Sequence, residues 1–268
     1  MTQANATATS RPLIEIQNVY KQYNTGVIAV SDMSLDIKDG QFVSFLGPSG
    51  CGKSTALRMI AGLAEVSAGK ILVNGHEPGN AAGPQDIGFV FQEPTLMPWA
   101  TVFDNVYLPL RLGGISRKDA APRVEEVLSQ VGLSKFADAY PRELSGGMKM
   151  RVSIARAVVT KPRLLLMDEP FAALDEMTRF KLNNDVLRLW QENGLTVIFV
   201  THSVYESVYL SNRVVVMAAR PGRVVADIAI PGTYPRAENF RTTPEYNDSC
   251  KMVADALNAT LGSDDIDH

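Results

Sequence analysis

The chain opens on strand-like alternation. Leu13, Ile14, Ile16 and Val19 are followed by apolar runs at 27–30 and 33–37, and Lys38-Asp39-Gly40 marks a turn. The links between these runs are too short for helical crossovers, which predicts antiparallel pairing. Residues 42–46 form a short continuous apolar run that ends in glycines and leads into 53–63, where apolar positions recur with helical spacing. Strand, glycine loop and helix is the start of a βα unit. Further strands are predicted at 71–73 and 87–91. From about 101 to 161 the pattern changes: strong β runs stop, and helix-period segments fall at 120–131 and 149–159. This stretch reads as a helical lobe inserted in an α/β core. The core resumes with a strand at 163–167, a helix at 177–193 and a continuous apolar strand at 196–200. Runs at 214–218 and 224–230 flank Arg220-Pro221-Gly222, a hairpin turn. The tail, 231–268, is polar until a short helix at 246–257, and its role is regulatory or simply structural.

A chain of 268 residues can bury the core of one large domain with a lobe inserted. Its hydrophobic fraction of 46% is that of an ordinary soluble globular protein. No run approaches the roughly 18–20 apolar residues that cross a bilayer, so work at a membrane would need a partner to supply the membrane part. Residues 1–12 are small and polar without an apolar stretch, and read as a disordered leader rather than a secretion signal. Cys51 and Cys250 make no metal or disulfide pattern, which favours a reducing cytoplasm. A net charge of −3 with no Lys/Arg block offers no electrostatic footprint for nucleic acid.

Gly47-Pro48-Ser49-Gly50-Cys51-Gly52-Lys53-Ser54-Thr55 fits the phosphate-loop pattern G-x-x-x-x-G-K-[ST]. Gly50 and Gly52 let the backbone turn its N–H groups inward around an anion, and the following helix aims its positive end at the same point. Lys53 can reach the β- and γ-phosphates of ATP, Ser54 offers a hydroxyl to Mg²⁺, and Thr55 assists at the α-phosphate. Cys51 lies at a helix N-terminus, where a reactive thiolate is expected. The run 164–167 ends in Asp168-Glu169, two carboxylates at a strand end that alternation points in different directions. Asp168 fits the Mg²⁺ site, and Glu169 fits the general base that polarises the attacking water. The strand at 197–200 ends in Thr201-His202, which places His202 to bridge the γ-phosphate and that water. Gln92 closes the 87–91 strand, where it can sense Mg²⁺ and water. Ser145-Gly146-Gly147 precedes a helix and forms a second set of free backbone N–H groups.

These segments, with Ala173-Leu174-Asp175, occur in an order and spacing that resemble the nucleotide-binding subunit of ATP-binding cassette (ABC) transporters over roughly 13–230. The resemblance implies a P-loop NTPase core of α/β class, with an N-terminal antiparallel β subdomain and an inserted helical subdomain. It also implies that Ser145, Gly146 and Gly147 grip the γ-phosphate of ATP held by a second copy, that Asp175 belongs to the loop crossing that interface, and that Tyr23 stacks on adenine. Tyr20 is the rival for that last place. Phe91-Gln92-Glu93-Pro94-Thr95-Leu96-Met97-Pro98-Trp99 and Ala219-Arg220-Pro221-Gly222-Arg223 are similar to importers of nitrate, sulfonate and taurine-type solutes. In those importers the first segment faces the integral membrane permease, fed by an extracytoplasmic solute-binding protein, at the cytoplasmic face of the cell membrane. Trp99 either serves that contact or packs in the helical lobe. Met148 is usual for this group, whereas Met150, Ala172 and Ser203 depart from the commoner family residues; none removes a phosphate, metal or base group. The rival is a soluble ABC ATPase acting on nucleic acid or ribosomes, but those families carry two cassettes, coiled coils or zinc modules. A small-molecule P-loop kinase would leave Ser145-Gly146-Gly147 unexplained.

Overall fold

A computed structural model describes residues 11–79, 86–219, 221–234 and 236–260. The leader reading thus lies largely outside the described residues, as does Arg220 of the predicted turn. Strands β1 (Ile14–Gln22) and β2 (Ile28–Ile37) pair antiparallel. Two short strands were predicted where β2 runs unbroken. The kink that divides its apolar pattern is Asp32, at φ 48°, whose carboxylate accepts from Asn18 Nδ2 at 2.9 Å across the pair. Asn18 is itself left-handed at φ 47°, and the register shifts beside it, so the two residues form a bulge.

After β3 (Phe42–Leu46) come α1 (Lys53–Ile60), β4 (Ala68–Val73) and β5 (Ile87–Val90). β4 joins the first sheet, in the order β2-β1-β4. Helices α2 (Val102–Leu112), α3 (Arg117–Gln130) and α4 (Gly146–Val158) form the inserted helical subdomain. α3 and α4 each begin three residues before the predicted start. Ser116 caps α3 by accepting from the amide of Asp119, and Ser145 caps α4 from the amide of Met148. The core then resumes with β6 (Leu164–Asp168), α5 (Glu176–Asn193), β7 (Thr196–Thr201), α6 (Val204–Leu210), β8 (Arg213–Ala218) and β9 (Arg223–Ala229), and α7 (Pro244–Asn258) follows.

The second sheet runs β5-β6-β7-β3-β8-β9, parallel except for β9, which returns antiparallel beside β8 as the turn signal predicted. Every residue of β3, β6 and β7 is buried, the consequence of covering a parallel sheet on both faces. Alternation sends Phe42, Val197 and Phe199 into the core on the α5 side, and Val43, Phe45, Ile198 and Val200 into the core shared with α1 and the antiparallel sheet. Leu46 pairs with Thr201 and Asp168 with Val200, so the carboxyl ends of β3, β7 and β6 stand side by side. The tail packs against the body: Tyr246, Cys250 and Val253 of α7 enter the α5-side core, and Trp190 meets Tyr234 edge-on at 5.1 Å.

Candidate functional site

The phosphate loop leaves β3 at Gly47 and enters α1 at Lys53. Two of its glycines are sterically required. A Cβ on Gly47 would lie 2.4 Å from the Met217 carbonyl oxygen, and one on Gly52, at φ 85°, would lie 2.4 Å from that of Ala29. Gly50, at φ 78°, faces open space and is required for its conformation alone. Lys53 is buried and curls into the loop, donating from Nζ to the carbonyls of Gly47 (2.8 Å) and Pro48 (2.9 Å). Pro48 is half-buried, and Ser49 is exposed at the crest. Tyr23 leans onto the loop from the end of β1, its hydroxyl 3.3 Å from Thr55 Oγ1 and its ring 5.2 Å from Lys21 Nζ. Tyr20 lies inside β1, paired with Ala68 of β4, so the structure places Tyr23 rather than Tyr20 at the loop.

Cys51 corrects the sequence expectation. Its thiol is completely buried, and burial pushes its pKa up despite the nearby Lys53 charge. The helix end and Lys53 do favour a thiolate, but stripping water from the sulfur outweighs them. Burial therefore opposes the reactive thiolate that the sequence suggests.

Asp168, the last residue of β6, is 7% exposed and accepts from Ser54 Oγ at 2.7 Å. Burial raises its pKa, and the Ser54 hydrogen bond only partly opposes this. Glu169 then turns left-handed at φ 44°, a conformation a non-glycine residue adopts only when its surroundings impose it. Here its amide donates to the Val200 carbonyl of β7 at 3.1 Å. That twist brings Glu169 Oε1 within 3.6 Å of Lys53 Nζ and Oε2 within 3.3 Å of His202 Nδ1. Phosphate loop, acidic pair and histidine thus form one contiguous group. Gln92 is exposed just beyond β5, which ends at Val90, one residue sooner than expected at Phe91, and pairs with β6 through Val90 and Met167.

Ser145 and Gly146 are exposed at the start of α4, whereas Gly147 is buried. Asp175 caps α5 by accepting from the Thr178 amide at 2.9 Å. A Cβ on Gly147 would come within 2.5 Å of Thr178 Cγ2, so the starts of α4 and α5 touch. α4 packs against α2, α3, α5 and β5. Among the described residues, no hydrogen bond or ion pair joins 145–147 to the phosphate loop. Within one chain, the two glycine-rich anion motifs are not brought together.

Known proteins resemble this chain in sequence and fold. The family model described as ABC transporter matches residues 30–172. The chain belongs to the ABC transporter family. It is an ATP-binding ATPase cassette of that family. A putative ATP-binding protein of Brucella abortus is 49% identical over 88% of the chain and 90% of its own length. A taurine import ATP-binding protein of Rhizobium johnstonii is 47% identical over 89% and 92%. Among solved structures, a dimeric post-hydrolysis state of the ATP-binding cassette MJ0796, bound to ADP and Pi, superposes with a TM-score of 0.73 at 34% identity, covering 82% of this chain and all of that one.

Sequence reasoning missed a group behind Glu169 and His202, made of buried Thr201 and Glu206 with half-buried Arg179. A signal existed: Ser203-Val204-Tyr205-Glu206 has the S-x-x-E spacing of a capping box. Ser203 Oγ does accept from the Glu206 amide at 3.3 Å, but the Glu206 carboxylate does not return to the Ser203 amide. It accepts from Thr201 Oγ1 at 2.6 Å, and that same oxygen accepts from the Ser203 amide at 3.0 Å.

Proposed function

We propose that this cassette is the ATP-hydrolysing subunit of a solute importer, working as two copies on an integral membrane permease. The observation that carries this reading is the split between the two anion motifs: Lys53, Ser54, Asp168, Glu169 and His202 gather at one place, while residues 145–147 stand on the helical subdomain and, among the described residues, share no hydrogen bond or ion pair with that group. A second copy, turned about a twofold axis, supplies the missing half. Gly47, Pro48, Ser49, Gly50, Cys51, Gly52, Lys53, Ser54 and Thr55 hold the phosphates through backbone amides and the Lys53 ammonium, and Tyr23 stacks on adenine. Ser145, Gly146 and Gly147 of the other copy cap the γ-phosphate, and Asp175 lies on the joining loop.

The Ser54 hydroxyl beside the Asp168 carboxylate is an all-oxygen donor pair, which suits Mg²⁺. No cluster of three or more His, Cys, Asp or Glu able to hold a metal unaided occurs among the described residues. Mg²⁺ held by Ser54 and Asp168 would supply positive charge against that developing on the phosphates. Glu169 Oε2 orients and polarises the attacking water, and His202 bridges the water and the γ-phosphate. Gln92 reports occupancy of the site along the partly exposed segment 92–99. No described helix is long and apolar enough to cross a membrane, so a permease must supply the pore. Trp99, 76% exposed, offers an aromatic anchor for it. Similarity to a taurine import protein supports a sulfonate or related small organic solute, delivered by an extracytoplasmic binding protein to a complex whose cassettes lie at the cytoplasmic face.

Sedimentation of Glu169→Gln tests the shared site. With Mg-ATP the variant is expected to sediment as a dimer, and with ADP as a monomer. A species that stays monomeric at saturating ATP overturns the shared site. Loss of labelled taurine uptake on deletion of the gene tests the importer assignment separately.

A further inference from the structure

His202 is more than half exposed on a turn, yet its ring must hold a fixed place beside Glu169. The residues that fix it lie underneath. Thr201 is 2% exposed, and its hydroxyl joins the amide of Ser203 to the carboxylate of Glu206, so the backbone on both sides of His202 is pinned through one oxygen. Glu206 is 8% exposed at the start of α6. Its other oxygen faces Arg179 of α5 across 3.8 Å, an ion pair without a hydrogen bond. Arg179 in turn donates from Nη2 to the Leu174 carbonyl at 3.0 Å, directly before Asp175. Arg241, stacked over the rings of Tyr209 (3.6 Å) and Phe180 (4.3 Å), adds a second cation near Glu206 from the C-terminal segment.

A buried carboxylate costs several kcal/mol in desolvation, and replacing such a group with apolar side chains is often neutral for stability. Two buried polar atoms of this group, Glu206 Oε1 and Arg179 Nε, also lack hydrogen bonds. Stability alone therefore does not account for the group. Its connections do: one end grips the turn that carries His202, the other the loop that carries Asp175.

We propose that Thr201, Glu206 and Arg179 form a positioning relay that sets the His202 ring against Glu169 and ties it to the Leu174–Asp175 loop. This rests on the reading of His202 given above. When the loop meets a second copy, movement of the Leu174 carbonyl is transmitted through Arg179 and Glu206 to the turn at 201–203. Nucleotide arrival at the interface and placement of the histidine become one event.

The test uses the full chain and three substitutions at the relay's hydroxyl and carboxylate. Thr201→Val keeps shape and removes the hydroxyl; it should lower kcat about tenfold, the scale of a modest misplacement of a catalytic group, while ATP affinity changes less than twofold. Thr201→Ser restores the hydroxyl and should return kcat to near wild type. Glu206→Gln still accepts from Thr201 and should fall between. Histidine ring ¹⁵N spectra supply a readout that packing alone would not move. With Nδ1 facing the Glu169 carboxylate, the neutral ring must carry its proton on Nδ1. The His202 signals, assigned with His202→Ala, should lose that Nδ1–H signature in Thr201→Val, while those of His76 stay fixed. Unchanged His202 signals in Thr201→Val, or equal loss of activity in Thr201→Ser and Thr201→Val, would overturn the relay. If His202→Ala itself retains turnover, the role given to His202 fails, and the ring spectra still decide whether Thr201 positions it.

Discussion

Replacing Gly147 with alanine sets two effects against each other. Alanine is the better helix former by ~1 kcal/mol, so on propensity alone the variant should gain stability. The structure opposes this. The new methyl would lie 2.5 Å from Thr178 Cγ2, where ordinary carbon contacts begin near ~3.5 Å, so the starts of α4 and α5 must separate by about 1 Å or Thr178 must leave its rotamer. Overpacking of this kind costs ~1–3 kcal/mol. The balance is a net loss of about 1 kcal/mol, which lowers the melting temperature by ~2–4 °C in a domain of this size. Thr178→Ser removes the clashing methyl, so Gly147→Ala made in that background should be neutral or stabilising. Thermal unfolding of the four proteins in the cycle gives the coupling, expected at ~1–3 kcal/mol. Phosphate release at saturating ATP separates packing from function. If turnover returns with stability in the double variant, the glycine serves the contact between helices; if only stability returns, the methyl also obstructs something another molecule brings. A single variant that melts at or above wild type would refute the close approach of α4 and α5.

Glu169→Gln should bind ATP within a few-fold of wild type while turnover falls ~10²–10⁴-fold, the range for loss of a positioned base; equilibrium binding and phosphate release measure the two. Ser54→Ala removes the hydrogen bond to buried Asp168 at a cost of ~1–3 kcal/mol. The Asp168 pKa is already raised above its unfolded value, so its favourable contribution is present below about pH 3.8 and fades as pH rises through the folded value. Losing the Ser54 donor raises that value further. The Ser54→Ala penalty should therefore be larger at pH 8 than at pH 4 in denaturant titrations, and a penalty independent of pH would contradict this. Cys51 and Cys250 are both buried with raised pKa values, so a thiol reagent at pH 8 should react slowly with native protein, faster only as pH rises beyond 9, and should count two thiols in guanidinium. Fast reaction of one native thiol at pH 8 would show that the loop exposes Cys51.

Local chemistry was legible in the residues themselves. A phosphate loop is contiguous, its glycines and lysine are fixed by spacing, and the apolar runs of β3, β6 and β7 announce strands buried on both faces. The acidic pair and His202 could be placed at strand ends because parallel sheets present their carboxyl ends together. What remained open was non-local. The order β6-β7-β3 brings the ends of the three strands side by side, and the left-handed turn at Glu169, whose amide donates to Val200, sets its carboxylate against both Lys53 and His202. The choice of Tyr23 over Tyr20 depends on where β1 stops pairing with β4. The tail reads as polar with a role either regulatory or structural, and in the fold its scattered aromatics and Arg241 close over α6. For Cys51 the sequence named the right forces and could not weigh them, because desolvation is set by what packs on the sulfur. Sequence by itself determined the family and the local motifs this chain carries; the tertiary structure decided which of their groups touch, because register, burial and the meeting of distant strands are properties of the whole fold.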